Sequence, residues 1–117
     1  MDLDENLRIS IHDYDYIEKL FNKPLDNFRK YCIWRIFVPY FINIKKLSGL
    51  ETSNKIKLWL DRCNSISRLS FNPRWKIDYA INNVGTFHPT RQDRLEDTNK
   101  LFYERLKNEG ILVKNVE

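Results

Sequence analysis

The stretch from Leu25 to Ile44 constrains the fold most. Leu25, Phe28, Cys32 and Ile36 are spaced for one helical stripe, and Ile33, Phe37, Tyr40, Phe41 and Ile44 for a second. A helix apolar on so many sides needs neighbours on several sides, which predicts a central helix in a helical bundle. Pro24 suits its first turn. Pro39 falls inside the pattern, lacks an N–H and crowds the carbonyl of Arg35, which predicts a kink or break there. Leu47-Ser48-Gly49-Leu50 closes the element, with Gly49 as C-cap.

The remaining segments carry the same period. A short helix is expected around 13–22, with Tyr16 or Ile17, Leu20 and Phe21 inward. Thr52 or Ser53 can cap a third helix whose stripe is Ile56, Leu60, Cys63 and Ile66. Asn72 as N-cap and Pro73 as N1 open a fourth, with Ile77, Ala80, Ile81 and Val84 inward and Gly85 at its end. Thr90 and Asp93 form a weaker capping box for a fifth, which runs to about Asn108 and stops at Gly110. Leu7, Ile9 and Ile11 instead alternate with polar residues, as in a short strand or ordered linker, and Ile111-Leu112-Val113 could pair with them. With only 3 Gly and 4 Pro in 117 residues, the chain reads as all-α, a single-domain bundle of about five helices. The expected divisions are an acidic N-terminal segment with a short helix (1–24), the helix bundle (25–108) and a tail or linker (109–117).

Charge is segregated along the chain. Residues 1–26 carry a net −4, residues 27–76 carry +9 and residues 77–117 carry −1, within a total of +4. A fifty-residue block at +9 attracts polyanions. The same block holds all three Trp, at 34, 59 and 75. Cations interleaved with flat rings suit single-stranded nucleic acid, where phosphates take the charge and unstacked bases take the rings. Lys55, Trp59 and Arg62 share one helical line beside the third stripe. Trp59 there can stack a base, or pack inward at the stripe's edge. Trp75 and Tyr79 lie off the fourth stripe, beside Arg74 and Lys76.

Catalytic chemistry is absent from the pattern. There is no phosphate-binding glycine loop, dinucleotide fingerprint, nucleophile elbow or zinc-protease motif. Asp13 and Asp15 have the D-x-D spacing of a metal pair but no third carboxylate in frame, and Asp13 reads better as a helix cap. His12 and His88 read as solvated loop residues. Cys32 and Cys63 lie 31 apart with no C-x-x-C, which leaves two free buried thiols and no four-cysteine iron–sulfur or zinc site. No catalytic residue, resident metal or intrinsic cofactor is expected. No segment is apolar enough to span a membrane, and the acidic start lacks the features of a signal peptide, so the chain reads as cytoplasmic.

The run Arg29-Lys30-Tyr31-Cys32-Ile33-Trp34-Arg35-Ile36-Phe37-Val38-Pro39-Tyr40-Phe41-Ile42-Asn43 resembles the archaeal PriX-type non-catalytic primase subunit. Ile56-Lys57-Leu58-Trp59-Leu60-Asp61-Arg62-Cys63-Asn64, Leu69-Ser70-Phe71-Asn72-Pro73 and Pro89 continue the likeness. It covers roughly residues 25–106 and extends to the helix-bundle domain of archaeal plasmid primase–polymerases. More distantly, the chain is similar to the C-terminal domain of the primase large subunit, whose four cluster cysteines it lacks. In that family a basic helix, a lysine-bearing turn and a Trp-bearing helix hold the initiating nucleotide and the template. Their counterparts here would be Arg35, Lys45 or Lys46, and Trp59.

The resemblance implies a non-catalytic module that binds single-stranded template DNA and an initiating nucleoside triphosphate, such as ATP, for a separate primase catalytic domain or subunit. Magnesium is left open, and the isolated chain is expected to be a monomer. On this reading the nucleotide-binding candidates are Arg29, Arg35, Lys45, Lys46, Trp59 and Arg62. The DNA-binding candidates are Lys30, Tyr40, Asn43, Lys55, Asn64, Arg68, Asn72, Arg74, Trp75 and Lys76. The alternative is a helix-turn-helix-like regulator that reads duplex DNA with one recognition helix. A third reading is a docking module for an acidic protein.

Overall fold

The computed structural model describes residues 13–112. Among them the regular structure is all helix: α1 (Asp15–Phe21), α2 (residues 29–44), α3 (Gly49–Ile66), α4 (Pro73–Asn83), α5 (Leu95–Thr98) and α6 (Lys100–Asn108). The all-α expectation holds, with six helices in place of about five. The alternating segment at Leu7, Ile9 and Ile11 lies outside the described residues. The chain forms two compact units, one from its two ends (described residues 13–20 and 90–112) and one continuous (residues 21–89).

In the unit built from the ends, α1 buries Tyr16, Ile17 and Leu20. The Tyr16 hydroxyl donates to the Thr90 carbonyl, and the Gln92 N–H to the Asp13 carbonyl at 3.0 Å. Asp13 also faces Arg91 Nε at 3.8 Å. The expected fifth helix is two. Asn99 takes an extended backbone (φ −153°) and its side chain accepts the Phe102 N–H, so it ends α5 and caps α6. Thr90 does not cap; Gln92–Arg94 forms a single 3-10 turn with no side-chain cap. Gly110, left-handed at φ +72°, stops α6 as expected. The Gly110 N–H reaches the Lys107 carbonyl and the Ile111 N–H the Leu106 carbonyl, the paired bonds of a Schellman ending.

In the continuous unit, α2 starts at Arg29, later than Pro24 suggested. Phe28 is left-handed (φ +61°), and the Asn27 side chain accepts its N–H at 2.8 Å, a local bond that competes with a helical start. Leu25 is fully buried outside the helix, its N–H on Cys63 Sγ at 3.4 Å. Pro39 does not break α2. It keeps a helical backbone (φ −63°) between two π-helical stretches, Cys32–Phe37 and Tyr40–Ile44. In the first, the Val38 N–H bonds the carbonyl of Ile33, five residues back. The wider turn tolerates the missing proline donor that tight α bonding would expose.

Lys46, at φ +59°, ends α2 where Gly49 was expected to. Gly49 is instead the first residue of α3, and Ser48 is its cap. Ser48 Oγ accepts the Glu51 N–H at 3.1 Å, and Glu51 Oε1 accepts the Ser48 N–H at 3.2 Å, a full capping box. Thr52 is buried one turn in, and neither Thr52 nor Ser53 caps. The α3 stripe holds as Ile56, Leu60 and Cys63, while Ile66 is exposed. α4 opens as expected, with Asn72 Oδ1 accepting the Trp75 N–H at 3.0 Å and Pro73 at its first position. It packs on α3 and the first half of α2, burying Ile77 and Ala80. An aromatic cluster fills the α2–α3 side. Phe37 meets Phe21 edge-on at 5.3 Å and Trp59 edge-on at 4.8 Å, and Phe21 meets Phe41 at 5.2 Å.

Candidate nucleic-acid interface

Residues 21–89 hold 12 Lys and Arg against 4 Asp and Glu, a net +8. Most of these cations lie at the surface. Three of the predicted site residues do not. Trp59 is fully buried, and its indole N–H donates to the Lys23 carbonyl at 3.1 Å, which leaves no ring face for a base. Tyr40 is 6% exposed and packs on Phe41. Arg29 is buried, and its guanidinium donates to the carbonyls of Cys63 (3.3 Å), Ser67 (2.6 Å) and Arg68 (3.2 Å). The Cys63 carbonyl, in the last turn of α3, also takes the Ser67 N–H at 3.0 Å, and the Ser67 and Arg68 carbonyls lie just past the helix, so Arg29 ties down that end of α3 from a distance.

Arg35 has the opposite surroundings. Its guanidinium carbon lies 5.0 Å from the Trp34 ring centre and 4.8 Å from that of Phe87, within cation–π range of both. Its Nε is buried, and no acceptor among the described residues reaches it. A buried donor left unpaired costs about 1–3 kcal/mol. The two rings stay in solvent, Trp34 at 51% and Phe87 at 40% exposure. The turn that carries Phe87 is tied to α2 by Asn43, whose side-chain amide donates to the carbonyls of Gly85 (3.1 Å) and Phe87 (2.6 Å). Gly85 enters that turn at φ +54°, a conformation that favours glycine.

A second assembly lies at the start of α4. Trp75 and Tyr79, one helical turn apart and both mostly exposed, stack with ring centres 5.3 Å apart and planes 21° apart. Lys76 Nζ lies 5.6 Å from the Trp75 ring centre. In the loop before α4, Lys30 Nζ lies 5.5 Å from the Phe71 ring. Arg68, Leu69, Ser70, Phe71 and Asn72 line an open surface depression there. Asn64 shapes this loop by accepting the Leu69 N–H at 2.9 Å. Arg74 is exposed in the first turn of α4.

The other candidates are scattered. Lys45 and Lys46 are exposed at the end of α2. Arg62 donates to the Phe21 carbonyl at 2.6 Å, and Lys55 Nζ lies 5.9 Å from the Phe41 ring centre. Lys57, beside them, pairs with Asp61 at 2.6 Å. The candidate site list left out the rings that meet these cations or stack beside them: Trp34, Phe71, Tyr79 and Phe87. Trp34 and Tyr79 had a signal, since each is aromatic and lies off its helix's apolar stripe. Phe87 had none, because its place depends on the Asn43 clamp across the unit.

The two thiols are not reactive groups. Burial, with the neighbouring Cys63 second, pushes the Cys32 thiol well above its ordinary value of 9.0. Burial also raises Cys63, opposed by the Leu25 N–H and by the Arg29 and Arg62 charges. Among the described residues no group of three His, Cys, Asp or Glu could hold a metal ion, and no helix is long and apolar enough to cross a membrane.

The family model described as Primase X matches residues 14–110. No curated protein matches the chain.

Proposed function

The chain belongs to the Primase X family, and on that premise we propose that it is a non-catalytic module that holds single-stranded template and an initiating nucleoside triphosphate for a separate primase catalytic domain. The observation that carries this reading is the coincidence of charge and exposed rings in one compact unit. Residues 21–89 are at +8, and their exposed aromatics sit with cations: Trp34 and Phe87 with Arg35, and Trp75 with Lys76. Exposed rings beside cations suit unstacked bases on a phosphate backbone. A duplex offers its bases only at groove edges and gives such rings little to stack on.

The stacked Trp75–Tyr79 pair, with Arg68, Arg74 and Lys76 nearby in sequence, is the strand-binding surface in this reading. Asn72 is spent on capping α4, and Asn64 on its loop. Arg35, with Lys45 and Lys46 further along α2, is the nucleotide side. Trp59, Tyr40 and Arg29 support the fold and are not contacts.

An amide NMR titration tests the proposal. Single-stranded DNA, ATP with magnesium, both together, and duplex DNA are added in turn. Shifts within residues 29–76 that grow when both ligands are present are expected, because the two sites would be coupled. Shifts with duplex alone would overturn the proposal in favour of a regulator. No shift with any of the four would leave protein docking in its place.

A further inference from the structure

We infer that the turn at residues 85–87 is the positioning element of an oxyanion site at Arg35, with Asn43 as its latch. The inference rests on the reading above and assigns roles to Phe87 and Asn43 that neither charge nor spacing gives them.

Two rings lie within cation–π range of the Arg35 guanidinium, and neither accepts one of its N–H groups. The buried Nε has no acceptor among the described residues. The unit's carboxylates are engaged elsewhere where their partners are seen: Asp61 with Lys57 and Glu51 in the α3 cap. A forked cation held between two rings, with no counter-charge on it among the described residues, matches phosphoryl oxygens, which it can take two at a time. Packing alone does not account for the arrangement, since Trp34 and Phe87 remain about half in solvent.

The turn sets the fork's position. Asn43 grips the Gly85 and Phe87 carbonyls at 3.1 and 2.6 Å, and so fixes where the Phe87 ring meets Arg35. Gly85 supplies the left-handed residue that the turn needs. Asn43 therefore acts on a ligand through Phe87 and Arg35, without touching it. The phosphate could come from a free triphosphate or from a strand's backbone. Both present the same oxygens.

The test uses inorganic tripolyphosphate and a thymidine oligonucleotide as separate probes, with the Arg35 side-chain Nε–H signal followed by NMR. At least one probe should shift that signal, and which one does so identifies the source. Phe87→Ala and Asn43→Ala should each weaken that probe's binding about three-fold, with circular dichroism unchanged and Phe87→Tyr restoring affinity. Arg35→Lys should weaken it further, because an ammonium keeps the charge and loses the fork. If both probes bind the wild type but neither moves the Arg35 signal, the oxyanion site is wrong and the proposed function stands. If the signal moves while Phe87→Ala and Asn43→Ala bind like the wild type, the positioning role is wrong. If the wild type binds neither probe, both readings fall.

Discussion

Arg29 and Arg35 lie six residues apart on one helix, yet their surroundings differ in kind. Arg29 is buried and its guanidinium has three carbonyl acceptors. Arg35 has two rings beside it and, among the described residues, no acceptor for its Nε. The first arrangement is complete within the chain. The second leaves a buried donor open among the described residues. Residue type alone does not separate an arginine that the fold satisfies from one that it leaves open. What separates them is whether the fold supplies acceptors.

The largest effect should come from the structural side. Trp59→Ala removes a fully buried ring, its edge contact with Phe37 and its bond to Lys23. A loss of about 4 kcal/mol is expected in urea denaturation. A variant that folded normally but lost nucleotide binding would instead return Trp59 to the site. Arg29→Ala should come next, at about 2 kcal/mol, because the part-buried Ser67 and Arg68 carbonyls lose this donor. Arg35→Ala should cost less, no more than about 1 kcal/mol, because the lost ring contacts are offset by removal of a buried unpaired donor. Equal losses from the two arginines would break the comparison.

Much of the fold was legible because it was written locally. Asn72-Pro73 opened α4 and Gly110 closed α6 where expected, since each signal acts within one turn. Misreadings came where two local signals competed. Gly49 looked like a C-cap, yet Lys46 took the left-handed position and the Ser48–Glu51 box claimed Gly49 for α3. Asn99 looked like an ordinary helix residue and split the last helix in two. The site was less legible. Its cations were visible, but burial divides them, and burial is a tertiary property. Trp59 sat at the edge of its stripe, where one residue's rotation decides between core and surface. Phe87 reaches Arg35 only through a clamp made 44 positions away in the sequence.

A pH series probes the buried side in another way. Both thiols sit above their ordinary value of 9.0, chiefly through burial. The unfolded chain therefore loses these protons first as pH rises. Their contribution is fully present below about pH 9 and is lost above it, so denaturation midpoints should fall from about pH 9 upward. Cys32→Ala should flatten that fall. An unchanged slope in this variant would mean that other groups set the alkaline limit.

The smallest effect expected is at the other end of α3, and it sharpens the contrast between local and long-range capping. Ser48 and Glu51 satisfy the first donors of α3 from within one turn, whereas Arg29 holds the carbonyls at and just past its last turn from another helix. Ser48→Ala should cost about 1 kcal/mol, and Ser48→Asp should retain most of it. The 18-residue helix separates its two ends by about 27 Å at its standard rise. Among the described residues the two caps share no hydrogen-bond partner, so the double variant Ser48→Ala with Arg29→Ala should lose the sum of the single losses, to within about 0.5 kcal/mol. A loss well below the sum would mean that α3 melts as one unit when either end is released. Arg29 would then support the whole helix, including the Trp59 core, and more than its last turn.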